Sequence, residues 1–305
     1  MSADVGVLLM SYGTPATPDD VAAYYTHIRR GRAPTPEQLV DLQARYDAIG
    51  GVSPLAERTH AQARGVQAAL DASEPGRFVV VAAAKHAPPF LEDGVRRLVE
   101  LGAREAVALV LAPHYSALSV GEYIERVARE AEAVEPPLPM TFLRDWHVEP
   151  TLIELLAERV RAAAAQFPAD TVVETLVTAH SLPARVLEMD DPYVEQVQRT
   201  GAAVAEEAGL TRWRVAWQSA GRTPEPWLAP DVLEVLSALA DEGVQGVVVC
   251  PAGFTADHLE VLYDIDVQAR QVAEKLGLRL VRTQSLNDDA RFVGMLAELV
   301  RDAVA

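Results

Sequence analysis

The segment GVQGVVVCPAGFTADHLEVLYDID, residues 243–266, decides the fold class of this chain. An apolar, β-rich run ends at Cys250, a short turn follows, and the remainder has the spacing of a helix. The same alternation recurs along the chain and predicts seven strands: VGVLLMS, RFVVVAAA, AVALVLA, ETLVTAH, WRVAWQS, GVQGVVVC and LRLVRT. Apolar strands that alternate with helical segments are typical of βα units on a parallel sheet.

The length of 305 residues favours two domains, because a typical single domain has about half that length. We predict an α/β protein with two similar Rossmann-like domains, residues 1–148 and 149–305, each a parallel sheet flanked by helices. Ligands of open parallel sheets bind beyond the carboxyl ends of the strands. A cleft between the two sheets is therefore the expected site.

Two pairs of matching segments indicate an internal duplication. VLLMSYGTP matches LVTAHSLP, which places Tyr12 against His180. VLAPHYSALSVGEY matches VVCPAGFTADHLEV, which places Glu122 against Glu260. Each half therefore contributes equivalent positions to the expected cleft.

The composition excludes several classes of partner and cofactor. A net charge of -17 would repel nucleic acid, and no glycine-rich phosphate loop follows any strand, so no nucleotide is expected. The single cysteine, Cys250, allows neither an intrachain disulfide nor an all-cysteine iron–sulfur cluster. No apolar run is long enough to cross a bilayer, and no basic segment precedes the first one. We expect a cytoplasmic protein without integral membrane association, and a monomer, although no sequence feature bears on the oligomeric state.

Two kinds of side chain could supply chemistry at the second sheet. His180 directly follows an apolar strand, and imidazole can act as a base or as a metal ligand near neutral pH. Asp257, Glu260 and Asp264 are spaced to share one face of a helix that opens at the cleft, and such a face would offer an oxygen-lined path to a divalent ion. The alternatives are a structural histidine and a solvated acidic helix face.

Two further tracts could bind a ligand. The basic run HIRRGR, with Arg45 and Lys85 further on, suits a polyanionic small molecule, although cations at a helix C-terminus would give the same pattern. WQSAGRTPEPWLAPD combines three prolines with two tryptophans, which suits the wall of a pocket for a planar ligand, or a rigid loop that packs its own aromatic rings.

Together these segments resemble the ferrochelatase family, from about residue 5 to residue 291. The motifs that carry the resemblance are LLMSYGTP, YYTHIRRGRAPTPEQL, RYDAIGGVSPL, LAPHYSALSVGEY, TAHSLP, DPY, WQSAGRTPEPWLAPD and GFTADHLEVLYDID. The resemblance is closest to the soluble, Gram-positive-type coproporphyrin III ferrochelatases. It implies two chelatase-type domains with a porphyrin cleft between them.

The resemblance also implies roles for individual residues. His180 and Glu260 match the catalytic histidine and its partner acid, and both are also expected to contact the metal. Tyr12 matches a position that contacts iron from the other face of the ring. The positions that match residues around the porphyrin or its propionates are Tyr12, Arg29, Arg30, Arg45, Ser53 and Tyr123. Asp264 would belong to a metal path, whereas Gln268 stands where relatives carry a glutamate, which puts an outer metal site in doubt.

The implied activity is that of a lyase in haem biosynthesis, inserting Fe2+ as a substrate metal into a porphyrin. Coproporphyrin III is the expected porphyrin and iron coproporphyrin the product. The alternatives are a protoporphyrin IX ferrochelatase, a chelatase for another metal and tetrapyrrole such as cobalt and sirohydrochlorin, and a carrier that binds haem or a porphyrin without reaction.

Overall fold

Two four-stranded parallel sheets form the centre of the chain, and the computed structural model describes residues 4–304. The first sheet has the order β2-β1-β3-β4 and the second has the order β6-β5-β7-β8. The strands are β1 (Val5–Ser11), β2 (Phe78–Ala84), β3 (Glu105–Val110), β4 (Met140–Leu143), β5 (Val173–His180), β6 (Trp213–Gln218), β7 (Gly246–Cys250) and β8 (Arg279–Arg282). The identical order of the two sheets is what an internal duplication predicts.

Helices flank both sheets, which confirms the expected α/β class with two similar halves. The helices are α1 (Val21–Ile28), α2 (Pro36–Ala48), α3 (Leu55–Ser73), α4 (Leu91–Glu100), α5 (Val120–Ala133), α6 (Pro150–Ala164), α7 (Tyr193–Ala208), α8 (Val232–Asp241), α9 (Leu259–Val261), α10 (Arg270–Lys275) and α11 (Ala290–Asp302). Short 3-10 turns cover Pro18–Asp20 and Ala184–Glu188, and a π-helix, Leu262–Ala269, joins α9 to α10. Within residues 4–304, no helix combines the length and the apolar character needed to cross a membrane.

Strand β4 was missed by the sequence analysis, which predicted seven strands rather than eight. Its four residues, MTFL, are all partly or fully exposed, and they pair on one side only, with β3. A strand this short, at the edge of a sheet, carries too few residues to show a periodic pattern.

The core that joins the two halves is continuous. Val7 of β1 and Val177 of β5 belong to one buried cluster that also contains Phe292 of α11. Although α11 lies at the end of the second half of the sequence, it packs against α3 of the first half and against α6. Trp146, which lies just before α6, contacts Phe292 with 5.9 Å between the ring centroids. The aromatic pair therefore helps to fix one sheet relative to the other.

Replacing Phe292 with alanine is expected to lower the free energy of unfolding by about 3–5 kcal/mol, because the side chain is fully buried and its loss leaves a cavity. The measurement is chemical denaturation followed by tryptophan fluorescence. Leu187→Ala is the control, since Leu187 is 64% exposed and should cost less than about 0.5 kcal/mol. Equal losses in the two variants would contradict the proposed packing role of Phe292.

Candidate active site

The carboxyl ends of both sheets present polar side chains to a shared space. Tyr12 directly follows β1, and His180 is the last residue of β5. Glu122 and Glu260 lie in the first turns of α5 and α9, the helices that follow β3 and β7. This is the edge at which parallel sheets bind ligands, and the two pairs are those matched by the duplication.

His180 is held in one orientation by the backbone around it. Its Nδ1 bonds to the carbonyl of Ser181, and because a carbonyl can only accept, Nδ1 carries the hydrogen in this contact. The Nε2 atom then faces Glu260, 3.5 Å from Oε1. The hydroxyl of Tyr193 donates to the backbone carbonyl of His180 over 2.8 Å, which anchors the end of the strand. A third of the His180 side chain remains exposed, so the ring can meet a ligand.

The contact between His180 and Glu260 changes the pKa of both groups. Burial alone would lower the pKa of His180, but the charge of Glu260, the hydrogen bond to it and the Ser181 carbonyl together raise that pKa to about 9. Burial would raise the pKa of Glu260, but the charge and hydrogen bonds of His180 and His258 hold it well below its usual range. The pair is therefore an imidazolium and a carboxylate at neutral pH.

His258 was missed by the sequence analysis, which concentrated on the carboxylates around it. Its Nε2 lies 3.5 Å from Oε2 of Glu260, so Glu260 is held between two histidines. The Nδ1 atom of His258 donates to the carbonyl of Ala256 over 2.9 Å. The only sequence signal was the place of His258 two residues before Glu260.

The backbone of Glu260 is also fixed, by a buried polar chain from β5. The hydroxyl of Thr178 donates to Oε1 of Gln218 over 2.7 Å, and Nε2 of Gln218 donates to the carbonyl of Glu260 over 2.9 Å. Both Thr178 and Gln218 are completely buried. Glu260 thus has little freedom to leave His180 when a ligand binds.

The prediction that Asp257, Glu260 and Asp264 share one helical face was wrong for Asp257. The helix begins at Leu259, after Asp257, and the Asp257 carboxylate accepts hydrogen bonds from Arg282, Ser285 and Asn287. Extended backbone at the N-cap residue keeps Asp257 out of the first turn.

Asp264 remains on the side of Glu260, on the π-helix. Ser219 donates to its carboxylate, and Arg45 approaches to 3.9 Å. Burial raises the pKa of Asp264 to about 6; the Ser219 hydrogen bond opposes this rise and the charge of Glu260 adds to it. Gln268 lies further along the same π-helix and is half-buried.

Tyr12 belongs to a group of tyrosines at the end of the first sheet. Burial raises the pKa of Tyr12, and the charges of Glu260 and Glu122 add to this rise, so both acids lie close enough to Tyr12 to act on it through their charges. Sequence analysis missed Tyr24 and Tyr46, whose hydroxyls contact the carbonyl of Gly13 at 2.9 Å and Oγ1 of Thr14 at 3.4 Å, respectively. These contacts brace the turn that carries Tyr12.

Some of the predicted basic residues contact side chains of the cleft, and others do not. Arg30 reaches Oε1 of Glu122 at 3.4 Å, and Lys85 reaches Oε2 of the same residue at 2.5 Å. Lys85 also lies 4.9 Å from the centre of the Tyr123 ring. Arg29, by contrast, stacks on Tyr25 just beyond the end of α1.

Ser53 lies before α3 and is almost fully buried. Its hydroxyl accepts a hydrogen bond from the Leu55 amide over 3.3 Å, which satisfies a free N–H at the start of the helix. Ser53 therefore has a structural role that does not depend on a ligand.

Of the two tryptophans in the proline-containing tract, only one faces His180. The Trp227 ring lies 6.5 Å from the His180 ring, and Phe254 lies 6.4 Å from it on the segment after β7. Trp217 is buried and packs against Tyr193 in the core of the second half. Trp227 and Phe254 therefore provide flat, apolar walls around the imidazole.

Between residues 4 and 304, no group of three or more His, Cys, Asp or Glu side chains is arranged to hold a metal ion. At the carboxyl end of the second sheet, His180 and His258 each place a ring nitrogen 3.5 Å from an oxygen of Glu260. The three side chains form a histidine and carboxylate pair with a second histidine behind it.

The family model for ferrochelatase matches residues 4–304, almost the whole chain. The chain belongs to the ferrochelatase family. It is 45% identical over 306 residues to the coproporphyrin III ferrochelatase of Geobacillus thermodenitrificans, covering 99% of this chain and 96% of that protein. It is 44% identical to the ferrochelatase of Herpetosiphon aurantiacus, covering 98% and 99%. The resemblance noted from the sequence motifs, and the enzyme class that it implied, are thereby confirmed.

Solved structures support the fold independently of sequence. SirB from Bacillus subtilis with Fe3+ aligns with a TM-score of 0.61 at 13% identity, covering 99% of this chain and 96% of that chain. At this level of identity the likeness concerns the fold alone. The ferrochelatase chain thus has the two-sheet architecture of a chelatase, as expected.

Proposed function

We propose that this member of the ferrochelatase family inserts Fe2+ into coproporphyrin III and releases iron coproporphyrin. Membership of the family supports the metal-insertion reaction, and relatives such as the Geobacillus protein are named coproporphyrin III ferrochelatases. The Herpetosiphon relative carries the broader name ferrochelatase, so the choice of porphyrin depends on this chain's own cleft.

The observation that carries the proposal is the contact of His180 Nε2 with Glu260 Oε1 at 3.5 Å, at the edge where parallel sheets bind ligands. Iron insertion exchanges two pyrrole N–H protons for one Fe2+, so the site must accept protons and admit a cation. A histidine and carboxylate pair can do both, because each group in its deprotonated form can accept a proton or bind a divalent ion transiently.

In the proposed reaction, His180 first gives up the proton that it holds at neutral pH. The neutral ring then takes a pyrrole proton at Nε2, and Glu260 stabilises the imidazolium that forms again. His258, on the other side of Glu260, gives the proton a route away from the ring. Asp264, with a pKa of about 6, is the next carboxylate along the same side and belongs to the path of the metal or of the protons. Tyr12 lies on the first sheet and would contact iron from the opposite face of the macrocycle.

Binding energy from the rim of the cleft would bend the macrocycle and expose its nitrogens. Trp227 and Phe254 would lie against its flat surface, beside His180. The residues proposed to surround the ring or hold its propionates are Tyr12, Arg29, Arg30, Arg45, Ser53 and Tyr123. Four propionates on coproporphyrin would account for basic residues that gather around one cleft in an otherwise acidic protein.

The test is anaerobic Fe2+ insertion followed by absorbance, with coproporphyrin III and protoporphyrin IX compared under identical conditions. We expect faster turnover of coproporphyrin, because its two additional carboxylates meet arginines. Faster turnover of protoporphyrin would keep the enzyme class and reject the proposed substrate. Tight binding of both porphyrins without insertion would reject the enzyme and favour a porphyrin carrier.

Several expectations from the sequence stay predictions: the domain limits of 1–148 and 149–305, the monomeric state, the cytoplasmic location and the absence of an iron–sulfur cluster. The monomer can be tested by light scattering across a range of protein concentrations.

A further inference from the structure

One carboxylate at the rim of the cleft is shared by two arginines from different halves of the chain. Oδ2 of Asp41 lies 2.9 Å from Nη2 of Arg222 and 3.2 Å from Nε of Arg45. Asp41 and Arg45 are both on α2, whereas Arg222 is on the loop after β6. The two guanidinium groups therefore converge on a single carboxylate oxygen.

This arrangement lies next to the proposed catalytic side of the cleft. Nη1 of Arg45 approaches Oδ1 of Asp264 to 3.9 Å, and Asp264 is near Glu260. The loop that carries Arg222 also carries Trp227, whose ring faces His180. A ligand that lies between Trp227 and α2 would therefore bring its edge to Arg222.

The loop is held in place without the help of Asp41. Trp227 donates from its indole nitrogen to Thr223 over 2.9 Å, and its backbone pairs with Pro183. Glu225 on the same loop forms an ion pair with Arg185 at 2.5 Å. Asp41 is consequently free to exchange its partners without unfolding the loop.

The ion pair between Arg222 and Asp41 can be broken at little cost in stability. The side chains of Arg222 and Asp41 are 53% and 44% exposed, and exposed ion pairs contribute little to stability. Two arginines can bind an incoming carboxylate as well as they bind Asp41, because guanidinium groups present several donors to planar anions. The negative charge of Asp41 then opposes binding of that carboxylate.

We propose that Arg222 and Arg45 together hold one propionate of the porphyrin, and that Asp41 occupies this place until the substrate arrives. This proposal rests on the proposed function, since it assumes a porphyrin with carboxylate side chains. Arg222 is then a specificity-determining residue on the second half of the chain, opposite the basic residues of the first. Asp41 is an internal competitor that raises the concentration of substrate needed for binding.

Two substitutions at this site are expected to act in opposite directions. Arg222→Gln should weaken binding of coproporphyrin III about tenfold, as expected for the loss of one charge-assisted contact at a partly exposed site. Asp41→Asn should tighten binding about threefold, because it removes both the competitor and the repulsion. Binding is measured in the absence of metal by quenching of tryptophan fluorescence.

Matched controls come from ion pairs elsewhere. Asp288→Asn removes the partner of Arg58 in a pair of similar exposure, and Arg104→Gln removes an exposed arginine near the amino end of β3. Both controls should leave the dissociation constant unchanged. In the double variant Asp41→Asn/Arg222→Gln, most of the gain from Asp41→Asn should disappear, since one of the two released arginines is missing.

The direction in which Asp41→Asn changes the affinity for coproporphyrin III distinguishes the proposal from a purely structural role of Asp41. If Asp41 only ties α2 to the loop, its loss will weaken or leave unchanged the binding of coproporphyrin, and the proposal is overturned. An unchanged dissociation constant for Arg222→Gln would also overturn it. Failure of the proposed function is a separate result, namely absence of iron insertion by the unmodified chain.

Discussion

His180→Ala is expected to reduce iron insertion by at least about a thousandfold while leaving porphyrin binding nearly unchanged. The substitution removes the imidazole at the end of β5, whose Nε2 faces Glu260. General bases contribute about 10²–10⁴ in rate, and a residue that also guides the metal belongs at the upper end of that range. The macrocycle would still contact Trp227, Phe254 and the arginines, so most of its binding energy should remain.

The measurement combines insertion kinetics with a fluorescence titration of the metal-free porphyrin. His60→Ala is the matched control, because His60 is an exposed histidine on α3, which lies outside the proposed site. It should leave both rate and affinity as they are. If His180→Ala loses binding but keeps normal residual turnover, His180 is a binding residue and the catalytic assignment is wrong.

Most of the fold could be predicted from local patterns, and the failures have identifiable causes. Strands such as β1 and β7 are fully buried on both faces, so they appear in the sequence as uninterrupted apolar runs. Strand β4 pairs on one side only and is partly exposed, which leaves no such run. The path of α11 back to α3 depends on tertiary contacts of Phe292, which no local pattern encodes.

The candidate site was less accessible from sequence than the fold. Helical spacing predicted that Asp257 would lie beside Glu260, but the helix starts later and then winds as a π-helix. Because π-helical turns are rare, the spacing of an ordinary α-helix is the default expectation for such a segment. The contact of Asp41 with Arg222 emerges only when elements distant in sequence are placed together, whereas His258 is a near neighbour of Glu260 whose contact depends on the local backbone.

Glu260→Gln is expected to reduce kcat/KM about a hundredfold and to move the pH profile of the remaining activity to lower pH. In the unmodified chain the carboxylate of Glu260 raises the pKa of His180 to about 9. His180 must lose its proton before it can accept one, so kcat/KM should rise with pH and level off above about 9. Without the charge and hydrogen bond of Glu260, only the Ser181 carbonyl and the charge of Asp264 still oppose the effect of burial, so the pKa of His180 falls and the rise should occur at lower pH.

The same shift has a consequence for stability, and its sign follows from the direction of the pKa change. Because the folded state binds the His180 proton more tightly than the unfolded state, the stabilisation is complete below about pH 6.5 and is lost as the pH rises to about 9. In Glu260→Gln, the free energy of unfolding should no longer decrease between about pH 6.5 and about pH 9 for this reason.

Glu122→Gln, at the equivalent position of the first sheet, is the control for both measurements. Glu122 does not contribute to the pKa shift of His180, so this variant should keep the rise of kcat/KM with pH. If the activity of Glu260→Gln keeps its pH dependence, a group other than His180 limits the reaction, and the base must be sought elsewhere in the cleft.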